Sequence, residues 1–234
     1  LNGLYLAASG AASQLGGLGT AADNLANLNT PGFRRFQSVI EAVNGNGTPY
    51  QFAASTPATI DLMQGPMQST GDPLNVALSG PGFMEVQTPH GVAYTRNGTL
   101  QIASDGTLTA SGYPLLNQTG APINLGKGGN LVIGDDGSVS LSGIPSGQIA
   151  LGDPTGITMV PAGASIYRTA TGETLPAASN SQMHQGFLEG SAGSEMGTMV
   201  SMLSMMRNYD ASMKAVHSID TNQSQAIQAF TMTA

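Results

Sequence analysis

Small and apolar residues step along the start of this chain at alternating intervals of four and three: Leu4, Ala8, Ala11, Leu15, Leu18, Ala22 and Leu25. That spacing lays one stripe along an α-helix and is the a/d pattern of a coiled-coil seam. The helix is expected to stop at Asn27-Leu28-Asn29-Thr30-Pro31-Gly32, where Pro31 keeps Thr30 out of the helical region. The far end repeats the pattern through Met199, Met202, Met206, Tyr209, Met213, Val216, Asp220, Gln223, Ile227 and Phe230. Its seam is apolar except at Asp220 and Gln223, and Ser194 is placed to cap its start. A chain that is seamed at both ends must bury two stripes, against each other or against other chains.

Between the seams the pattern changes to that of strands. Phe83-Met84-Glu85-Val86-Gln87, Thr99-Leu100-Gln101-Ile102 and Gly106-Thr107-Leu108-Thr109 alternate with a period of two, and Leu131-Val132-Ile133 and Gln148-Ile149-Ala150-Leu151 are short apolar runs. Asn97-Gly98, Asp105-Gly106 and Asp135-Asp136-Gly137 read as hairpin-type turns. The expected fold is therefore mixed α and β: paired N- and C-terminal coiled-coil-type helices, a central all-β domain and an extended connector. The boundaries are an N-terminal helix over 1–33, a connector over 34–71, a β domain over 72–185 and a C-terminal helical segment over 186–234. The connector carries Gly45-Asn46-Gly47 and three prolines.

The helices are poor candidates for standing alone. Gly16, Gly17 and Gly19 each cost about 1 kcal/mol relative to Ala inside a helix. Residues 1–22 bear no charge, whereas a solvated helix shows a charged face. Six methionines fall between Met196 and Met213, and Met adapts to irregular partners. Charged residues make up only 9% of the chain, against about 25% in ordinary domains. These features point to contact on most sides of both helices and to packing in a polymer.

Other functions are excluded on chemistry. A net charge of -7 is the wrong electrostatic footprint for nucleic acid. The uncharged start lacks a basic n-region and is broken by Gly10, Ser13, Gln14, Gly16, Gly17 and Gly19, so neither a secretory signal nor membrane insertion is expected. The chain has no Cys, and His90, His184 and His217 share no metal-ligand spacing. Phosphate-binding loops, nucleophile elbows and zinc-protease motifs are missing from the sequence. Asp135 and Asp136 sit on one turn, where they cannot flank a glycosidic bond across a cleft. No catalytic residue, cofactor or metal is expected.

The termini carry a recognisable signature. Asn24-Leu25-Ala26-Asn27-Leu28-Asn29-Thr30-Pro31-Gly32-Phe33-Arg34 resembles the N-terminal motif of bacterial flagellar rod and hook proteins, N-L-A-N-x-x-T-x-G-[FY]-[KR]. The run Asp72–Val86, then Tyr94-Thr95-Arg96-Asn97-Gly98, Asp105-Gly106-Thr107-Leu108 and Gly112-Tyr113-Pro114-Leu115, is similar to that family's β domain. Gly186-Phe187-Leu188-Glu189-Gly190-Ser191 and Met205-Met206-Arg207-Asn208-Tyr209-Asp210 look like its C-terminal motifs. The short length and the Leu188–Ser191 form look most like proximal rod members. One departure stands out: Ser191 is followed by Ala192-Gly193 where the family commonly has Asn-Val.

The resemblance implies a structural axial subunit that is exported without a cleaved signal peptide by the flagellar export apparatus. It also implies a periplasmic rod whose subunits stack through their terminal helices, with other rod subunits and further copies of itself as partners, and a tube that transmits torque. The signature residues are Asn24, Leu25, Ala26, Asn27, Thr30, Pro31, Gly32 and Phe33. The chain begins at Leu1 rather than Met, and a few preceding residues are expected. The alternatives are a distal rod or hook-type axial protein, or a surface adhesin with a β binding module, which would leave the ordered motifs unexplained.

Overall fold

The computed structural model describes residues 2–44, 51–55, 58–126, 128–163 and 165–232. Gly45-Asn46-Gly47 lies outside them. The chain is mixed α and β, with the helices α1 (Asn2–Ala26) and α2 (Glu195–Met232) at its two ends and strands between. It divides into two compact units. One comprises Leu1–Leu25, Gln37–Ala58 and Ser194–Ala234; the other comprises Ala26–Phe36 and Thr59–Gly193.

In the second unit, a five-stranded antiparallel sheet runs in the order Leu151–Gly152, Phe83–Thr88, Gly91–Thr95, Ile166–Thr169, Met159–Gly163. The two-residue period of its strands divides the core. Met84, Val86, Ala93 and Ile166 join a large apolar cluster with Leu100, Leu108, Leu115, Ile133 and Met183. Phe83, Tyr94, Met159, Tyr167 and Leu175 form a second cluster. Two three-stranded meanders feed the larger one: Leu100–Ile102, Leu108–Ala110, Tyr113–Pro114, and Leu131–Ile133, Ser138–Leu141, Ile144–Gln148. The unit also holds short pairs, among them Gln182–Gln185 on Val76–Ser79 and Phe187–Glu189 on Met67–Ser69. The unit thus takes in residues 59–71 and 186–193 on either side of the span 72–185.

Two of the turns read from sequence close hairpins. Asp105 and Asp136 each accept a hydrogen bond from the backbone N–H two residues on, at 3.0 and 2.9 Å, while the following Gly106 and Gly137 adopt φ of +86° and +84°. Asn97-Gly98 does not close a hairpin. It carries the chain from the five-stranded sheet to the first meander, and a Cβ on Gly98 would lie 1.5 Å from the Val76 carbonyl oxygen. Glycine is there for close backbone approach. Ser111-Gly112 and Ser142-Gly143, which the sequence reading does not mark as turns, also close hairpins; all four residues have positive φ, the geometry that suits a two-residue hairpin.

In the first unit the hairpin Ile40–Asn44/Gln51–Ser55 is tied to α1, where the Ser13 hydroxyl donates to the Ala53 carbonyl at 2.9 Å.

Candidate assembly site

α1 stops where the signature begins to turn. The Thr30 N–H donates to the Asn27 carbonyl at 3.0 Å, and the Phe33 N–H to the Thr30 carbonyl at 3.2 Å. α2 starts on a side-chain cap, with the Gly197 N–H donating to the Ser194 hydroxyl at 3.3 Å.

The side of α1 that lies against α2 is marked by glycines. A Cβ placed on Gly3, Gly10 or Gly17 would sit 3.4 Å from Ile219 Cδ1, 3.8 Å from Ser212 Oγ and 3.1 Å from Met205 Sδ respectively. Each step of seven along α1 is matched by a step of seven backwards along α2. Ala7, Gln14, Ala21 and Asn24 continue the glycine stripe at helical spacing and are half-buried or buried. On α2 the matching stripe is sharply drawn. Thr198 is buried and Met202, Met205, Tyr209, Ser212, Val216, Ile219 and Gln223 are half-buried, while every other position from 196 to 226 is exposed.

The residues of the expected seams divide between that face and the open one. Met202, Tyr209 and Val216 lie on the shielded stripe of α2; Met199, Met206 and Met213 lie one residue past it and are exposed, as is Asp220. On α1, Ala11 is buried and Leu4, Leu18 and Leu25 are half-buried, whereas Ala8, Leu15 and Ala22 are exposed, Leu15 at 52%. Ile227 and Phe230 are on α2, but their side chains lie outside the described residues. The offset has a physical cause. On α1 the close approach runs through Gly3, Gly10 and Gly17, which an apolar ladder passes over. On α2 the stripe and the ladder share Met202, Tyr209, Val216 and Gln223. They part at Thr198, Met205, Ser212 and Ile219, each one residue before a ladder position, because a spacing of threes and fours leaves the phase open by one residue.

In the β unit, the chain segments that lead to the two helices are bonded to each other. The Gly32 N–H donates to the Glu189 carbonyl at 2.8 Å, and the Ala192 N–H to the Phe33 carbonyl at 3.2 Å. A Cβ on Gly193 would lie 2.9 Å from Leu28 Cδ2, so the glycine at this departure from the family pattern makes room for Leu28. Gly32 itself has φ +66°, and a Cβ there would meet the Arg96 carbonyl oxygen at 2.0 Å. That explains the signature glycine.

Below this crossing lies a buried ion triad. Glu189 Oε1 is 2.9 Å from Arg34 Nη2, and Oε2 accepts from Arg96 Nη1 at 2.9 Å, with all three side chains almost fully buried. The Gly65 N–H also donates to Oε1 at 2.9 Å. Arg34 donates to the Met63 carbonyl, and its backbone N–H donates to the Tyr167 hydroxyl at 2.7 Å. Arg96 donates to the carbonyls of Gly82, at 2.7 Å, and Gly80, with its guanidinium 5.1 Å from the Phe83 ring centroid. Burial, opposed by Glu189, pushes Arg96 down to about 10, so it is cationic at neutral pH. Burial likewise pushes the Tyr167 hydroxyl up to about 12.

Sequence reasoning passed over all three charges as site residues. The available signal was their rarity: three charged side chains set in the motifs at 24–34, 94–98 and 186–191 of a chain with few charges. Among the described residues, no cluster of His, Asp and Glu is arranged to hold a metal ion, and no helix is long and apolar enough to cross a membrane.

Three family models match in order along the chain: a flagella basal body rod protein model over residues 4–34, the flagellar hook protein FlgE/F/G D1 domain over 77–141, and the flagellar basal body rod FlgEFG protein C-terminal model over 184–229. The flagellar basal-body rod protein FlgF of Escherichia coli K12 is 32% identical, with 98% of each chain covered. FlgF of Salmonella typhimurium is 31% identical over the same shares. The rod protein FlgG of Buchnera aphidicola subsp. Schizaphis graminum is 29% identical, covering 93% of this chain and 95% of its own. With a glycine-lined helix face at one end, a two-faced methionine helix at the other and the motif charges meeting between, this chain belongs to the family of flagellar basal-body rod proteins, structural subunits of FlgF-like type.

Proposed function

We propose that this chain is a segment of the proximal flagellar rod whose terminal helices pair in coiled-coil fashion and carry the contacts to further copies and to other axial subunits. The observation that carries this reading is the division of α2 into two faces. One is shielded at heptad spacing; the other leaves Met196, Met199, Leu203, Met206 and Met213 exposed, Met196 at 78%. On α1, Tyr5, Leu6 and Leu15 are exposed as well. An apolar row of this kind is costly in water and suits burial by a neighbour. Torque passed along a tube needs many such lateral contacts and no reactive group. A periplasmic station and export through the flagellar apparatus without a cleaved signal belong to the same reading.

The test is a photo-crosslinking residue at Leu15 or Met206 in purified basal bodies. Adducts with rod subunits are expected from both positions. Adducts only with hook-proximal subunits would move the chain to the distal rod, and recovery of the protein on the cell surface without axial adducts would favour an adhesin.

A further inference from the structure

The pairing of Met67–Ser69 with Phe187–Glu189 brings the last strand of the β unit into place just before α2, yet the six residues of this ladder say little about their own register. Met67, Gln68, Ser69 and Phe187 are exposed and Leu188 is half-buried; only Glu189 is buried, at 1%. Short strands with so little apolar patterning are prone to slip. At the Phe187 end the Thr70 and Gly71 N–H groups donate to the Gly186 carbonyl at 2.8 and 3.0 Å; at the Glu189 end the observed register is distinguished by charge. With Gln68 opposite Leu188, the Glu189 carboxylate reaches both Arg34 and Arg96 and accepts from Gly65 N–H, and the Gly190 N–H reaches the Pro66 carbonyl at 2.8 Å. A two-residue slip would carry the carboxylate about 6–7 Å along the strand and leave two buried guanidinium groups facing each other.

We propose that the Arg34–Glu189–Arg96 triad is the register lock of this strand pair, and that Glu189 thereby positions the segments leading to both terminal helices. A buried ion triad is a weak source of net stability, because desolvation of the charges offsets most of their attraction. Its value lies in what it forbids. In a chain with 7 Lys+Arg in all, two are committed to one carboxylate. The same carboxylate belongs to a residue whose carbonyl accepts from Gly32, so a slip there also breaks the crossing between the N- and C-terminal segments. This proposal concerns the isolated subunit and stands whether or not the helices mediate assembly.

The absence of native cysteine makes disulfide trapping a clean test. In the full chain, Gln68→Cys with Leu188→Cys reports the observed register, and Thr70→Cys with Leu188→Cys reports a slip of two. Directly opposed Cβ atoms fall near bonding distance, whereas diagonal ones lie about 7–8 Å apart. With the triad intact, only the 68/188 pair should oxidise to completion. With Arg34→Met, Glu189→Leu and Arg96→Met combined, the melting temperature should stay within a few degrees while the 70/188 pair also closes, at least tenfold faster than before. If that triple variant does not fold, Glu189→Gln at reduced temperature should give the same gain at 70/188. Closure of 68/188 alone in whichever of these variants folds would overturn the proposal.

Discussion

Met205 Sδ lies 3.1 Å from the point that a Cβ would occupy on Gly17, and both residues sit on the stripes that the two terminal helices turn toward each other. The contact shows why a helix-weakening residue is kept in the middle of α1. A glycine here costs about 1 kcal/mol in helix propensity but allows the thioether to pack on the backbone.

Substitutions along α1 should therefore separate propensity from packing. Gly19 has nothing within 4 Å of its Cβ position, so Gly19→Ala should stabilise the first unit by about 1 kcal/mol. Gly17→Leu should destabilise it by about 1–3 kcal/mol through overpacking against Met205. Thermal unfolding followed at the helical band of the circular dichroism spectrum of the full chain would rank the two; a stabilising Gly17→Leu would contradict the facing stripes.

The exposed seam residues should behave oppositely. Leu15→Asp and Met206→Asp alter side chains that are 52% and 47% exposed, so subunit stability should change by no more than about 0.5 kcal/mol. Motility and incorporation into basal bodies should be lost, because a charge on a face buried by a neighbour is costly unless paired. A swarming assay beside a melting curve makes the comparison.

Glycines in the β unit should differ by what surrounds them. Gly98→Ala drives a methyl to within 1.5 Å of the Val76 carbonyl oxygen, on a backbone whose own carbonyl accepts from Val76 N–H at 2.9 Å. It should cost about 3–5 kcal/mol. Gly112→Ala meets nothing within 4 Å and bears only the strain of φ +80°, about 1–2 kcal/mol. Denaturant midpoints of the two variants should differ accordingly.

Alkaline titration should find Tyr167. Its folded-state value near 12 lies above the ordinary 10, so the neutral phenol is favoured by folding. The associated stability is complete below pH 10 and is lost as pH rises through 12, amounting to about 3 kcal/mol. Tyr167→Phe should flatten that slope and, by removing the acceptor of Arg34 N–H, cost about 1–2 kcal/mol at neutral pH. Urea unfolding at pH 8 and pH 11 tests both.

A fragment of residues 72–185 should fail to fold cooperatively. It lacks Glu189, and leaving Arg96 buried without its carboxylate costs about 3–5 kcal/mol. A fragment of 26–193 retains the triad and both short strand pairs and should melt as one transition in calorimetry. A cooperative melt from 72–185 would show that Arg96 tolerates the loss of its carboxylate.

Local chemistry was enough for much of this protein. The alternation of fours and threes identified both helices, Pro31 ended the first, Ser194 began the second, and Asp-Gly pairs closed two hairpins, because each depends only on dihedral preferences within a few residues. The same local logic failed at Asn97-Gly98, whose glycine answers to the carbonyl of Val76, a residue 22 positions upstream. It also favoured Met206 and Met213 over Met205 and Ser212, since a spacing of threes and fours fits either row of α2, and it passed over Gly3, Gly10 and Gly17, since an apolar ladder does not register the glycines that admit a close neighbour. The triad was beyond it altogether. Arg34, Arg96 and Glu189 are ordinary charges in the chain, and only the tertiary structure, by removing water from all three at once, makes each depend on the others.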